Sequence, residues 1–140
     1  MKRDLECCMK MGIIHFMAFP ELASGKEPWM ESVKQIALDP FFSAIEITHI
    51  EDAAERKAVR DLTRVSALSV GYGAHPAILG EGLDINSLDE ATRSHACQVL
   101  KRHVDEATYM GAESFVILSG KDPGKVQRKD GLKALIKSLL

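Results

Sequence analysis

Short apolar runs alternate along the chain with segments whose apolar residues recur at helical spacing. Four of these runs have the length and composition of buried strands, and they are bounded by proline, glycine or polar residues. We predict strands at Met11–Ala18, Ala44–Thr48, Leu68–His75 and Ser114–Ser119. Because a helical segment follows each of them, the strands should run parallel and be joined by crossover helices.

Capping residues predict where the longer helices begin and end. Asp52 is the expected N-cap of the helix after the second strand. Ser87 and Glu90 have the spacing of a capping box, and they precede a long helix that should end at Gly111. The apolar residues of this long helix, which we expect to be buried, are Ala91, Cys97, Leu100, Val104 and Ala107. A last helix carries Leu132, Leu135, Ile136 and Leu139.

The strand–helix units fit two architectures, an open doubly wound sheet or a segment of a barrel. No Gly-x-Gly-x-x-Gly motif follows the first strand, so a dinucleotide site is not favoured. One side of the third strand consists of Ser69, Gly71, Gly73 and His75, which suits a barrel interior with a polar residue at its mouth. We therefore predict an α/β fold, a parallel (β/α)4 half of a TIM-type barrel, over residues 11–140 after a tail at residues 1–10.

Composition narrows the set of partners. The 140 residues carry a net charge of -2, which gives no electrostatic reason to expect nucleic acid or an anionic membrane. No apolar run approaches the roughly 20 residues that span a bilayer, and no signal-peptide core is present. The cysteines Cys7, Cys8 and Cys97 are odd in number and lack a common zinc spacing, so we expect reduced thiols and a cytoplasmic location.

Three segments carry a resemblance to a known family. These are the strand Ala44–Thr48 with its internal Glu46, the Gly-Ala-His-Pro sequence that ends with Pro76, and the stretch from Tyr109 to Gly120. In this order they resemble the xylose isomerase-like barrel superfamily, and within it the sugar-phosphate isomerases and epimerases. The resemblance extends over about residues 11–140, but it covers only strands one to four of such a barrel.

The resemblance implies a (β/α)8 barrel with its site at the carboxyl ends of the strands. It also implies a divalent metal (Mn, Mg or Zn) and the isomerisation or epimerisation of a sugar or sugar phosphate by proton transfer next to a carbonyl. The main metal carboxylates of the family lie on strands five to eight. No metal ligand is therefore assigned in this chain, and the four strands are expected to be incomplete for catalysis alone.

Two residues are the candidate catalytic groups. Glu46 is an acid inside an apolar strand, where it is costly unless it is paired, solvated or metal-bound. His75 lies where the third strand is predicted to end, which is the mouth of a barrel. The candidate substrate contacts are His15, His49, Ser119 and Lys121. His15 has an alternative role as a hydrogen-bonded core histidine, and Lys121 as a solvated turn residue. No metal site is expected at His95, His103 or Asp105, which lie on the long helix.

Four strands of a barrel leave two open sheet edges and an uncovered inner face. Such surfaces invite pairing, so we predict a homodimer or higher oligomer, for example four plus four strands. The first hypothesis for function is the isomerase or epimerase half. The second is a non-catalytic half-barrel that assembles or binds a ligand. An abasic-site endonuclease is disfavoured by the near-neutral charge and by Ser119, where such relatives carry a histidine. The sequence also leaves open that the chain is a truncated piece of a longer protein.

Overall fold

The computed structural model describes residues 9–140 and shows an α/β fold built on one sheet. Four strands form this sheet in the order β1-β2-β3-β4, and every neighbouring pair is parallel. The strands are β1 (Gly12–Ile14), β2 (Ala44–Ile47), β3 (Ser69–Gly73) and β4 (Ser114–Val116). In the wall of a β/α barrel, parallel strands lie side by side in the order in which they occur along the chain, as these four do. The predicted (β/α)4 half-barrel class is therefore confirmed. The predicted tail, residues 1–10, lies almost entirely outside the described residues.

Helices connect the strands and cover one side of the sheet. They are α1 (His15–Ala18), α2 (Met30–Leu38), α3 (Ala53–Val65), α4 (His75–Glu81), α5 (Glu90–Met110) and α6 (Arg128–Leu139), with a short 3-10 turn at Pro20–Leu22. None of the helices within residues 9–140 combines the length and apolarity needed to cross a bilayer.

The core lies between the sheet and the helices. Ile45 and Ile47 of β2 and Val70 and Tyr72 of β3 point into it, and all four are buried. They pack against Trp29, Val33, Val59, Ala107 and Met110 from the surrounding helices and loops. Because strand side chains alternate between the two faces, the intervening residues must lie on the opposite side of the sheet.

The opposite side is the concave face of the half-barrel, and it lacks a covering layer in the part of the chain that the structure describes. One row across it is Ile14, Glu46, Gly71 and Ser114, which are register partners on successive strands. Ile14 is 38% exposed although it is apolar. The face forms an open depression of about 390 Å³ with Glu46 on its wall.

All four strands end earlier than their apolar runs predict; β2 ends at Ile47, one residue before the predicted end, and β4 ends at Val116, three residues before the predicted end. The first predicted strand continues to Ala18, but β1 ends at Ile14 and the remaining residues form α1. The third predicted strand includes His75, which instead begins α4. A continuous apolar run does not distinguish a buried strand from a buried helix segment, so periodicity alone could not place either boundary.

The two predicted N-caps have different outcomes. Asp52 is the N-cap of α3, where its carboxylate accepts from the Glu55 backbone N–H at 2.7 Å, as predicted. The predicted capping box at Ser87 is wrong, because Asp89 is the N-cap of α5 and accepts from the Thr92 N–H at 2.8 Å. The Ser87 hydroxyl instead accepts from the N–H of Asp89. The predicted end of this helix is confirmed, since Gly111 is its C-cap with φ 72°.

The buried face of α5 also differs from the predicted one. Leu100 and Ala107 are buried as expected, but Val104 is 44% exposed. The face that contacts the core consists of Arg93, Ala96, Val99, Leu100, His103, Ala107 and Met110. The helix is rotated relative to the expectation because two polar side chains, Arg93 and His103, find hydrogen-bond partners and can be buried.

Candidate functional site

The two candidate catalytic residues lie together at the mouth of the half-barrel. Glu46 is near the end of β2 and His75 is the first residue after the β3–α4 junction. The distance between His75 Nδ1 and Glu46 Oε1 is 3.8 Å, and both side chains are partly exposed. Oε1 of Glu46 is buried without a hydrogen-bond partner among the described residues. A buried carboxylate oxygen without a partner can accept a hydrogen bond from a polar ligand that enters the mouth.

Gly73 provides the space in which these two side chains meet. A Cβ at this position would lie 2.5 Å from Glu46 Oε1, 2.9 Å from Phe16 Cζ and 3.0 Å from His75 Nδ1. Any larger residue would therefore displace the carboxylate or the imidazole. The aromatic ring of Phe16 gives the site an apolar wall, with its centroid 6.2 Å from that of His75.

A second polar cluster lies on the helix side of the sheet. His49 follows β2, and its Nδ1 is 2.5 Å from Oε2 of Glu106 on α5. Oε1 of Glu106 accepts from the Ile50 N–H at 2.9 Å. His103, one turn earlier on α5, is hydrogen-bonded through Nδ1 to the Tyr72 hydroxyl at 2.9 Å. These groups line a pocket of about 410 Å³ together with residues that follow β1 and β3.

Burial and the close contacts in this cluster shift the pKa values of its side chains. The hydrogen bond with Glu106 raises the pKa of His49 against the opposing effect of burial. Burial alone would raise the pKa of Glu106, but the hydrogen bonds from His49 and Ile50 outweigh it and lower that pKa. Burial, with a smaller contribution from His49, lowers the pKa of His103. Burial and the Glu106 charge raise the pKa of Tyr72.

His15 occupies the core beneath α2, away from the concave face. It is 0% exposed, and its ring stacks on Trp29 with centroids 4.0 Å apart. Its Nε2 is 2.8 Å from the Ser32 hydroxyl, which itself donates to the Trp29 carbonyl. The imidazole must therefore donate from Nε2, and its neutral form is favoured. Burial lowers the pKa of His15 to about 4. This position matches the alternative role of a hydrogen-bonded core histidine.

Ser119 and Lys121 lie in the loop after β4, and both are exposed. The Lys121 carbonyl accepts from the Asn86 side-chain amide at 2.9 Å, which ties this loop to the segment after α4. Between them, Gly120 has φ 100°, and a Cβ there would lie 2.3 Å from Asp84 Oδ1. Ser119 and Lys121 border a depression with Asn86 and residues of α6, and among the described residues no hydrogen bond or ion pair joins them to Glu46 or His75.

Glu106 is the residue of the helix-side cluster that sequence reasoning missed. The signal available was the spacing of His103 and Glu106, which are three residues apart and share one helix face. From the sequence alone, no metal site is expected at His103. The third member, His49, lies 57 positions before Glu106 in the chain. Only the tertiary fold therefore shows that the three side chains meet.

The fold and the mouth together define a parallel β/α half-barrel with a carboxylate–imidazole pair at the carboxyl ends of its strands. No protein-family model matches this sequence, and no curated protein is significantly similar to it.

Proposed function

We propose that this chain forms the half of a sugar or sugar-phosphate isomerase or epimerase that contains strands one to four. The single observation that carries the proposal is the Glu46–His75 pair. It lies at the carboxyl ends of two adjacent parallel strands, where β/α barrels carry their chemistry. The resemblance of the strand sequences to that family supports the same activity.

The two side chains suit proton transfer next to a carbonyl. Glu46 as a carboxylate would take the proton from the carbon beside the carbonyl. His75 would donate a hydrogen bond to the carbonyl oxygen, which gains negative charge as the enediolate forms. Return of the proton to the neighbouring carbon, with transfer of the hydroxyl proton from one enediolate oxygen to the other through His75, gives the isomer. Epimerisation additionally needs an acid on the opposite face of the first carbon. The apolar wall at Phe16 would exclude water from the reacting carbon.

The described mouth residues do not form a complete metal site. They offer one carboxylate and one imidazole, whereas catalytic zinc sites use three protein ligands. A divalent metal of the kind implied by the resemblance would need further ligands from other strands. The proton transfer proposed here therefore runs through Glu46 and His75 alone.

Deuterium exchange tests this proposal more sensitively than net turnover. The chain is incubated in D₂O with a panel of aldose and ketose phosphates, with and without Mn²⁺, and the carbon-bound protons are followed by NMR. We expect exchange at the carbon next to the carbonyl, reduced at least about a hundredfold by Glu46→Gln and by His75→Ala. His95→Gln, at an exposed histidine on α5, is the matched control and should exchange normally.

Two results would contradict the proposal. The first is no exchange with any sugar in the panel by a folded chain. The second is exchange that neither mouth substitution affects. Saturable sugar-phosphate binding without exchange would favour the second candidate function described next.

The uncovered concave face favours a second candidate, a non-catalytic half-barrel that assembles or binds a ligand. Exposed apolar residues occur in and beside β1 and in the segment that follows β4, including α6. These are Met11 and Ile14 at the β1 edge, and Leu118, Leu132, Ile136 and Leu139 at or after β4. On α6, Leu132, Ile136 and Leu139 are spaced as one helix face. Assembly with a second copy would cover both edges, and it is compatible with either function.

A further inference from the structure

Three side chains with metal-binding atoms converge on the helix side of the sheet, outside the mouth described above. They are His49, His103 and Glu106, and one ligand atom from each lies within 4.8 Å of the others. We propose that these three residues bind a divalent transition-metal cation of the zinc class. This site does not depend on the proposed isomerase activity, because Glu46 and His75 take no part in it.

The orientation of His103 supports this assignment. The residue is only 7% exposed, and its Nδ1 is 2.9 Å from the hydroxyl of Tyr72. Tyr72 is itself fixed in β3 and stacks on Phe115 with ring centroids 5.5 Å apart. Histidine ligands of metals commonly donate one ring N–H to a neighbouring acceptor, which leaves the other nitrogen free to coordinate. With Nδ1 engaged in this way, Nε2 is the ring nitrogen of His103 that remains available to coordinate the cation.

Glu106 and His49 supply the other two ligands. Oε1 of Glu106 is held by the Ile50 N–H, so Oε2 remains for the cation. Oε2 and Nδ1 of His49 are 2.5 Å apart and share a proton. A bound cation would replace that proton and release it to solvent, as metal binding to protonated ligands does.

The geometry requires only small side-chain movements. Zinc–nitrogen and zinc–oxygen distances of about 2.0–2.2 Å place tetrahedral ligand atoms roughly 3.4 Å apart. His49 Nδ1 and Glu106 Oε2 therefore separate by about an ångström, and His103 moves closer by a similar amount. The fourth position faces the pocket of about 410 Å³, which is wide enough for water. Two imidazoles with one carboxylate favour zinc-class cations over Mg²⁺ or Ca²⁺, which prefer oxygen ligands.

Charged side chains around the three ligands alter the affinity for a cation but do not prevent its binding. Arg56 Nη1 is 3.9 Å from Oε2 of Glu106, and Arg102 also borders the pocket, so both oppose a cation. Arg56 is held by the Ile50 carbonyl, to which Nη1 donates at 2.8 Å. Glu81 lines the same pocket and offsets one of these positive charges.

Zinc titration by calorimetry tests the site in the full chain. Cys7 and Cys8 are first replaced by serine, because thiolates at the amino terminus would bind zinc independently. We expect one zinc ion per chain and an affinity that falls at least about tenfold in each of His49→Gln, His103→Gln and Glu106→Gln. His95→Gln changes an exposed histidine on the same helix and should bind zinc as the parent does. Co²⁺ should give the visible absorption bands of a low-coordinate site that contains nitrogen ligands.

His49→Gln is the decisive variant, because this side chain is 40% exposed and its replacement leaves the Tyr72–His103 contact intact. Circular dichroism checks that the variant is folded, and zinc should raise the melting temperature of the parent but not of His49→Gln. The proposal is wrong if the parent with serines at both positions binds no zinc, or if folded His49→Gln binds it as tightly as the parent.

Discussion

His15 and His75 show how the surroundings of a residue decide its chemistry. The two histidines have comparable places in the fold, because each lies just after the carboxyl end of a strand. His15 follows β1, and His75 follows β3. His15 is enclosed by Trp29, Phe19 and the Ser32 hydroxyl, so a charged imidazole there would lose its hydration. His75 remains partly exposed, with its Nδ1 3.8 Å from Oε1 of Glu46, so it can meet a ligand that His15 cannot reach.

The buried imidazole of His15 predicts acid sensitivity of the fold. Its pKa falls from 6.5 to about 4 on folding. Between these values the unfolded chain binds a proton that the folded chain does not, so the free energy of unfolding should decrease as the pH falls from 6.5 to 4. The slope from this residue is about 1.4 kcal/mol per pH unit, or roughly 3 kcal/mol in total. Urea unfolding at several pH values measures it.

His15→Phe keeps an aromatic ring in the stack and removes the titrating group. The free energy of unfolding of this variant should therefore depend on pH less steeply than that of the parent, by about 1.4 kcal/mol per pH unit between pH 4 and 6.5. His95→Gln is the control and should retain the parent slope. His49 acts in the opposite direction, since its pKa is raised in the folded chain, but its contribution is common to parent and variants. An unchanged slope in His15→Phe would contradict the prediction.

At the scale of elements, a carboxylate from one helix caps another. Oε1 of Glu55 on α3 accepts from the backbone N–H groups of Trp29 and Met30, at 2.6 and 2.7 Å, where α2 begins. These N–H groups have no partner within their own helix, and the positive end of the helix dipole favours a negative charge there. The contact joins the first two crossover helices and holds Trp29 over His15.

Glu55→Ala should therefore lower the free energy of unfolding by about 1–3 kcal/mol, because two partly buried N–H donors lose their acceptor. Glu27→Ala removes an exposed glutamate from the loop before α2 and is the matched control, with an expected change within about 0.5 kcal/mol. Chemical unfolding of both variants gives the comparison. Equal stabilities would show that the Glu55 contact contributes nothing.

At the scale of the whole molecule, the face and the two sheet edges that residues 9–140 leave uncovered predict self-association. A closed two-fold assembly would pair β4 of one copy with β1 of the other at two equivalent places, giving eight strands. This arrangement would cover the exposed apolar residues of α6 and the concave face together. The area buried would include Glu46, so assembly and function would be coupled.

Replacement of both Leu132 and Ile136 by glutamate should convert the assembly to monomers, because each copy would bury two charges at the edge. Val65→Glu is the control, since Val65 is 75% exposed on α3, away from both edges. Light scattering after size exclusion measures the mass at several concentrations. A parent chain that is a folded monomer throughout would refute the assembly.

The sequence by itself determined the repeating pattern of strand and helix, the parallel sheet and the place of Glu46 on its concave side. These follow from local periodicity, which depends on residues close together in the chain. Tertiary structure alone decided that β1 ends at Ile14, that His15 is buried, and that His49 meets His103 and Glu106. The physical reason is that burial of an imidazole or a carboxylate is much less costly where a group from a distant segment forms a hydrogen bond with it. The Tyr72 hydroxyl is such a group, and its hydrogen bond with Nδ1 allows His103 to be buried on the inner face of α5.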